Sequence, residues 1–422
     1  MMFTLVFAGE TIFSLPFHLP RYFRPTVLDV FDFTNTQLGD VFAAYGVMAM
    51  LAYFPGGAIA DRFSDRKLMT LSLLATGIGG LFMARMPSAT WSAVIYGYWG
   101  VTTILLFWGA MIRATRNWGG EFAQGRAFGI LDGGRGLVAA AAASAAVLFL
   151  SAFLPESVST ASAEERRAGL QAVIYFYTAL TFGAAILVWL FIPEATSQEA
   201  AHRTPPLAGM LKVLQRPIVW AQAFIVVVAY CGYKGLDNYS LYAVQVLGMD
   251  EVEGARLAAN AAYIRPLAAV VAGILADKFL ASRIMGVTFG VLVVSYAILY
   301  LAEPSAAWLN AIYANVFISF FGVFALRGVY FALLEEVKTP VHLTGTTVGM
   351  ISLVGYTPDI FFAAIGGRIL DHAPGVLGHQ RYFAFLAGVM LLGVIAVVVL
   401  AGLNKRQLAT HSDPGSDSVL QR

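Results

Sequence analysis

The sequence of 422 residues contains very little charge and almost no cysteine. Charged residues make up 12% of the chain and apolar residues 59%, a balance that cannot cover the surface of a water-soluble domain. The single cysteine, Cys231, excludes an intrachain disulfide and a thiolate metal cluster. The 27 basic and 25 acidic residues nearly balance, and the basic ones are dispersed, so we expect no nucleic-acid partner.

The residue patterns of catalysis are also missing. A membrane-embedded enzyme needs a nucleophile beside a base, or a cluster of metal ligands. No such spacing occurs among the six histidines, which are His18, His202, His342, His372, His379 and His411. We therefore expect neither an enzyme nor a metal or other cofactor.

Long apolar stretches are what the sequence has in abundance. A membrane-crossing helix needs about 20 mainly apolar residues, and the runs between Gly, Pro and charged residues predict twelve such helices. They cover approximately 3–30, 38–60, 68–86, 91–113, 126–154, 170–192, 217–246, 254–276, 284–302, 307–334, 345–370 and 381–403. We predict an all-α membrane protein whose first apolar stretch is retained as a helix and not cleaved as a signal peptide.

The loops between these helices differ in basic residues. Fifteen basic residues lie on the side of the termini and six on the other side, so the positive-inside rule predicts cytoplasmic termini. The polar segment 194–216 divides the chain into two predicted six-helix bundles, residues 1–193 and 217–403. Residues 404–422 form a Ser- and Asp-rich tail that we expect to be disordered. We expect a monomeric, multi-pass protein of a bacterial inner membrane.

One motif occurs once in each half. The string GAIADRF at 57–63 is repeated as GILADKF at 273–279. The offset between the two aspartates, Asp61 and Asp277, is 277 − 61 = 216 residues, about half the chain. Each copy ends the second predicted helix of its half, which indicates an internal repeat.

The repeated motif resembles the signature of the major facilitator superfamily. Residues 57–67 are similar to the signature between helices two and three, and residues 273–283 are similar to its weaker copy between helices eight and nine. Ser64 and Asp65 stand where a glycine and a basic residue are common in the family. The resemblance extends over the whole chain and implies twelve helices in two pseudo-symmetric six-helix bundles around a central cavity.

The motif itself predicts a gate. Asp61 can bind the amides of an adjacent helix N-terminus, or a cation, in only one arrangement of the bundles. Arg62 and Arg66 then hold the cytoplasmic side, and Asp277 and Lys278 repeat the pattern in the second half. A simple positive-inside turn explains the basic residues but not the repeated aspartate.

Charged residues also lie within the predicted helices, where each costs about 2.5–3.5 kcal/mol at the helix centre. Shifting Lys234 and Asp237 back by 216 residues gives His18 and Arg21, so helices one and seven carry equivalent polar pairs. Five of these charged residues are cations, namely Arg21, Arg135, Lys234, Arg265 and Arg327. Four are acids, namely Glu10, Asp132, Asp237 and Asp359. The cations therefore outnumber the acids by one. This surplus cation suits a small anionic substrate.

Two pairs of these charges lie three residues apart. Asp132 with Arg135, and Lys234 with Asp237, share a helix face and are expected to pair. Such pairs either neutralise themselves or line a cavity in which a substrate competes for the cation. We predict that the substrate is bound by a guanidinium fork and an ammonium group from opposite halves. The predicted binding residues are Arg21, Lys234, Arg135, Tyr233, Asp237, His18 and Arg327.

The stretch 108–137, together with Arg21 about forty residues before Asp61, resembles organophosphate:phosphate antiporters and sugar-phosphate permeases. That resemblance implies that the phosphoryl group is bound by a helix-one arginine and a helix-seven cation, here Lys234. The proline of the drug–proton antiporter motif is missing from the GGRG segment at 133–136.

Coupling requires a group that can carry a proton. Asp132 is the preferred carrier, because its expected partner Arg135 changes partners when an anion binds. Asp359, beside Pro358, and Glu10 are further candidates.

The sequence therefore predicts a secondary transporter for a carboxylate, phosphate ester or sulfonate, coupled to protons or to a counter-anion. A membrane sensor of the same fold would bind the solute without flux, and a drug–proton antiporter would export other compounds. A channel would need a ring of charges that the sequence does not show.

Overall fold

The computed structural model describes residues 1–120, 123–194, 214–303, 305, 308–337 and 341–411. All regular structure in these ranges is helical, because a backbone in lipid must satisfy its hydrogen bonds within the segment. Ten of the described helices are long and apolar enough to cross a membrane, or eleven if one bent pair forms a single span. The prediction of an all-helical membrane protein is confirmed. Most of the predicted linker 194–216 and tail 404–422 lies outside the described residues.

We number the helices along the chain. The N-terminal half contains α1 (Met2–Thr11), α2 (Ser14–Tyr22), α3 (Arg24–Phe31), α4 (Asn35–Arg62), α5 (Asp65–Met83), α6 (Ala89–Gly119), α7 (Gln124–Ser151) and α8 (Ala163–Phe191). The helix α5 corresponds to the predicted span 68–86, but it is not one of the ten helices that are long and apolar enough to cross a membrane.

Eight further helices are described in the C-terminal half. They are α9 (Pro217–Gln245), α10 (Glu251–Lys278), α11 (Ala281–Leu301), α12 (Leu309–Val329), α13 (Leu333–Glu336), α14 (Val341–Gly355), α15 (Pro358–His372) and α16 (Val376–His411).

Two helix starts support the internal repeat. Thr34 and Gln37 form a capping box at the start of α4, and Asp250 and Glu253 form one at the start of α10. In each box the side chain of the N-cap residue accepts a hydrogen bond from the backbone amide three residues later. The side chain of that later residue accepts a hydrogen bond from the backbone amide of the N-cap residue. The offset is 250 − 34 = 216 residues, the same as that of the repeated motif.

Three helices are interrupted where charged residues occur. A π-helical segment, Ser14–His18, follows α1, and α1 and α2 are bent by 43°. A short 3₁₀ turn, Leu236–Asn238, interrupts α9, and α14 ends at Gly355 before α15 begins at Pro358. Proline and π turns disturb the regular hydrogen-bond ladder and free polar groups. Broken helices of this kind surround the substrate sites of many transporters.

The hydrophobic cores follow the two halves. One core consists of buried residues between Ile218 and Leu400. Two others consist of residues between Leu5 and Ile192. One of these two also includes Val252 and four alanines from the first half of α10. The first half of α10 therefore packs into the core of the N-terminal half.

The two halves are in close contact at one end of the molecule. We call it the distal end; it is where Asn35, Glu251 and Asp371 lie. A Cβ atom added to Gly39 would lie 2.4 Å from the carbonyl oxygen of Ala363, and one added to Gly367 would lie 2.2 Å from that of Asn35. Glycine allows this backbone contact between α4 and α15.

The opposite end, where the 57–67 motif lies, is the signature end. Gly136 of α7 packs against Arg265 of α10. On the same face of α7, Gly133 and Gly129 have no atom within 4 Å of an added Cβ, and neither does Gly273 of α10. Among the described residues, these glycines of α7 and α10 therefore border open space toward the signature end.

Polar contacts seal the distal end. The Asp371 carboxylate accepts hydrogen bonds from the backbone amides of Asn35 at 3.1 Å and Thr36 at 2.7 Å, and from the Asn35 side chain at 3.0 Å. Asn35 in turn accepts hydrogen bonds from the buried guanidinium of Arg24. On the other side of the seal, Arg166 of α8 pairs with Glu251 of α10 at 3.0 Å.

Candidate functional site

A cavity of about 70 Å³ lies between the two halves at the level of the helix breaks. Both halves contribute to its wall. Its charged and polar lining consists of Glu10, His18, Arg135, Lys234, Arg327 and Asp359, and its aromatic lining consists of Phe13, Phe17, Tyr45, Tyr53, Trp108, Tyr230, Tyr233 and Tyr356. Ionisable groups gathered inside a membrane protein mark a functional site by default.

Glu10 of α1 is the centre of one charge cluster. Its carboxylate lies 2.9 Å from Nε of Arg135 and 3.5 Å from Nη1 of Arg265. Nη2 of Arg265 lies 2.7 Å from the carboxylate of Asp132. Because Arg265 belongs to α10 and the carboxylates belong to α1 and α7, this cluster joins the two halves.

His18 lies on the π-helical segment beside this cluster. Its Nε2 is 3.1 Å from Glu10, and its Nδ1 is 3.3 Å from the hydroxyl of Ser14. A neutral imidazole that donates from Nε2 and accepts at Nδ1 satisfies both contacts.

A second cluster surrounds the break in α9. Nε of Arg21 lies 2.6 Å from Asp237, and Nη1 of Arg21 donates to the hydroxyl of Tyr233 at 2.8 Å. Lys234 lies 3.3 Å from Asp237 and 3.4 Å from Asp359. The pairing predicted from the spacing of Lys234 and Asp237 is present. Arg21 belongs to α2, so this cluster also joins the halves.

Arg327 differs from the other cations of the site. It lines the cavity, and its guanidinium lies 3.9 Å from the ring centre of Tyr233. Among the residues that the structure describes, no carboxylate is within ion-pair distance of it. The ring face attracts a cation but carries no negative charge, so Arg327 is the cation that remains available to an anion.

The structure divides the predicted binding residues into two sets. His18, Arg135, Tyr233, Lys234 and Arg327 line the cavity, whereas Arg21 and Asp237 lie behind it and bind each other. Of the predicted proton carriers, Glu10 and Asp359 line the cavity and Asp132 does not. Their roles in binding and coupling stay predictions.

The pairing expected for Asp132 and Arg135 is absent. Asp132 binds Arg265 of α10, and Arg135 binds Glu10 of α1. The residues share a helix face, but carboxylates and guanidinium groups from other helices approach them more closely than they approach each other. Helix spacing alone could not reveal these partners.

The predicted gate lies at the signature end, and the side chain of Asp61 lies outside the described part of the chain. Arg66 binds Glu194, which also lies 2.6 Å from Lys67. The hydrogen bond from Lys67 holds the pKa of Glu194 below its usual range. Arg62, Asp277 and Lys278 are exposed, and their gating role stays a prediction.

Asp65, a departure from the family signature, has a defined role in this structure. Arg113 of α6 lies 2.6 Å from the Asp65 carboxylate and donates to the carbonyl oxygen of Phe63 at 2.6 Å. This contact ties α6 to the turn between α4 and α5.

Sequence reasoning missed several residues of the site and the seal. The cavity aromatics Tyr45, Tyr53, Trp108 and Tyr356 carry no signal that separates them from packing residues. Asp371 did carry one, because a lone acid at the end of an apolar stretch needs a partner.

The broken membrane-crossing helices, with a charged cavity between two halves, define a class: a multi-pass membrane transporter. The comparison with known proteins agrees. The chain belongs to the Major Facilitator Superfamily, which it matches over residues 2–358. Membership in this superfamily defines a transporter and not an enzyme.

Three relatives illustrate the range of similarity. The chain is 26% identical to the "Inner membrane protein YqcE" of Escherichia coli K12, covering 93% of this chain and 91% of that protein. It is 26% identical to the "Inner membrane protein YihN" of the same organism, covering 94% and 93%. It is 26% identical to the "Probable nitrate/nitrite antiporter NarK1" of Thermus thermophilus, covering 72% and 65%.

Solved structures show the same fold. The nucleoside transporter NupG matches with a TM-score of 0.68 at 12% identity, covering 95% of this chain and 99% of NupG. A bacterial homolog of the human lysosomal transporter Spinster, inward-facing and unoccupied, matches with a TM-score of 0.68 at 16% identity, covering 96% and 94%.

Proposed function

We propose that this chain is a secondary transporter that moves a small organic anion across a bacterial inner membrane, with both termini in the cytoplasm. The observation that carries the proposal is Arg327, which faces the cavity with no carboxylate partner among the described residues. An unpaired charge inside a membrane protein costs free energy, and a bound anion would supply the missing counter-charge. Arg135 and Lys234 line the same cavity.

A relative supports an anionic substrate. The name of NarK1 describes a nitrate/nitrite antiporter, and both of those solutes are anions. Its similarity extends over most of this chain. The substrate of this chain is a carboxylate, phosphate ester or sulfonate.

The mechanism is alternating access of two six-helix bundles, residues 1–193 and 217–403. The seal formed by Asn35, Thr36 and Asp371 closes the distal end, and glycines of α7 and α10 border open space toward the signature end. This arrangement corresponds to a state open to the cytoplasm. An anion that binds Arg327 of one half and Arg135 of the other would draw the halves together, which lowers the cost of closing the signature end.

Coupling to a proton or a counter-anion acts through the clusters that join the halves. Glu10 holds Arg135 from its own half and Arg265 from the other. When the halves move, these contacts must change, and a carboxylate that loses a cation becomes a site for a proton. Glu10 and Asp359 line the cavity, which supports them as proton carriers, whereas Asp132 would act through its partner Arg265.

The proposal is tested with purified protein and a panel of carboxylates, phosphate esters and sulfonates in a thermal-shift assay. The variants are Arg327→Gln and a matched control, Arg85→Gln, which removes a cation whose described contact is the ring of Phe82. We expect at least one anion to stabilise the wild type and the control, and to lose its effect in Arg327→Gln. The same anion should show saturable uptake into proteoliposomes.

The alternatives give different results. A ligand that stabilises all three proteins equally is not held as proposed. Binding through Arg327 without uptake or counterflow would indicate a sensor. Stabilisation by organic cations alone would indicate a drug–proton antiporter.

A further inference from the structure

The charge clusters around the cavity are one positive charge out of balance, and the pairing shows where that charge lies. Each of the four carboxylates in these clusters lies within ion-pair distance of a cation. The closest pairs are Glu10–Arg135 at 2.9 Å, Asp132–Arg265 at 2.7 Å, Asp237–Arg21 at 2.6 Å and Asp359–Lys234 at 3.4 Å. This assignment uses every carboxylate and every cation except Arg327.

No second free charge is present among the described residues that line the cavity. The contacts of His18 with Glu10 and Ser14 fit a neutral ring. Four of the tyrosine hydroxyls are already bound: Tyr45 to Thr103, Tyr230 to Asp359, Tyr233 to Arg21 and Tyr356 to Tyr330. The cavity therefore provides one uncompensated positive charge.

We infer that the cavity selects a compact anion with a single negative charge, a monocarboxylate or monosulfonate, over a phosphate monoester. This inference rests on the proposed function and deepens it, because it concerns the charge of the same substrate. A single negative charge makes the site neutral when it is bound. A phosphate monoester carries about −1.5 to −2 charges at pH 7, so part of its charge would lie in the cavity without a partner. A buried charge without a partner is strongly unfavourable.

The size of the cavity supports a compact substrate. Its volume is about 70 Å³, whereas an apolar cavity of about 150 Å³ is known to hold a benzene molecule. The rings of Phe13 and Trp108 line the cavity beside the Arg135 guanidinium, at 5.6 Å and 5.8 Å from their ring centres. A cavity of this size favours a short organic anion over a larger one.

The test compares sulfonates with phosphate monoesters of the same carbon skeleton, at pH 7.5 and constant ionic strength. The probes are methanesulfonate with methyl phosphate, and 2-hydroxyethanesulfonate with 2-hydroxyethyl phosphate. Binding to the purified full-length chain is measured by calorimetry or thermal shift. We expect each sulfonate to bind at least about tenfold more tightly than its phosphate counterpart, since one unpaired charge decides the difference.

A substitution that makes the cavity more positive tests the same inference. Asp359→Asn removes a negative charge that contacts Lys234 and should raise the affinity for the phosphate monoesters, relative to the sulfonates, by about tenfold or more. Arg327→Lys keeps the charge and should keep the preference, whereas Arg327→Gln should lose binding of both probes. Size-exclusion profiles and unfolding temperatures confirm that each variant is folded.

The outcomes separate this inference from the proposed function. Binding that depends on Arg327 but is equal or tighter for the phosphate monoesters overturns the preference for a single charge and leaves the proposed function intact. An unchanged preference in folded Asp359→Asn also overturns it. If none of the anions binds in a way that depends on Arg327, both fail.

Discussion

The distal seal yields the most direct prediction, because one carboxylate, Asp371 of α15, accepts all the hydrogen bonds described for the seal with the start of α4. Asp371 accepts hydrogen bonds from two backbone amides at the start of α4 and from the Asn35 side chain. The start of a helix carries a partial positive charge, so the carboxylate is also favoured electrostatically. Asp371→Asn keeps one acceptor oxygen but removes the charge and the second acceptor.

The expected magnitude follows from these contacts. A hydrogen bond to a charged group contributes about 1.5–3 kcal/mol, and the helix dipole adds about 0.3–1 kcal/mol. The substitution loses part of this sum, and we expect the closed distal end to be destabilised by about 2 kcal/mol. That value corresponds to a roughly thirtyfold rise in the ratio of distal-open to distal-closed molecules.

Thiol labelling can measure this ratio, because Cys231 is the only cysteine and can be replaced by alanine. Ser240 of α9 is fully buried and donates to the backbone carbonyl of Arg21 on the other half. Ser240→Cys therefore reports opening. A membrane-impermeant maleimide added on the distal side should label this cysteine much faster when Asp371→Asn is present.

The matched control lies on the same seam. Arg368 pairs with Asp40 at 2.9 Å, but both side chains are about half exposed. An exposed pair contributes about 0–1 kcal/mol, so Asp40→Asn should change labelling less than about fivefold. Equal labelling rates in the control and in Asp371→Asn, or no change in either, would refute the role of Asp371 as a latch.

Two further predictions concern packing and buried charge. Gly367→Ala should prevent closure of the distal end, because the added Cβ would lie 2.2 Å from the Asn35 carbonyl oxygen; the labelling assay should show an open distal end, and a closed one would contradict the packing. Glu10→Gln should lower the free energy of unfolding by about 3–5 kcal/mol, because Arg135 and Arg265 lose a buried partner. The double variant with Arg135→Gln should recover part of that loss in denaturant unfolding, and strictly additive losses would count against the pairing.

The helical fold could be predicted because it depends on stretches of consecutive, mainly apolar residues. Any stretch of about 20 apolar residues has few alternatives to a helix in lipid. The 216-residue repeat was visible in the sequence for a similar reason, since equivalent positions such as Thr34 and Asp250 perform the same local task of capping a helix.

The site was only partly predictable. The contact of Lys234 with Asp237 depends on spacing within one helix and was foreseen. The contact of Arg135 with Glu10 joins residues 125 positions apart, and no local pattern encodes it. The position of Asp371 indicated that it needs a partner, but not which one, because its partners lie on another helix more than 330 positions away.

The sequence by itself determined that the chain is a helical, membrane-embedded, internally repeated protein with five candidate site cations against four candidate site acids. These properties depend on composition and on short-range periodicity, which do not change with the arrangement of the helices. Only the tertiary structure decided that the surplus cation is Arg327, that Arg21 is bound to Asp237 behind the cavity, and that the distal end is closed. A buried charge pairs with whichever opposite charge the packed helices bring within a few ångströms, and that choice exists only once the helices have packed.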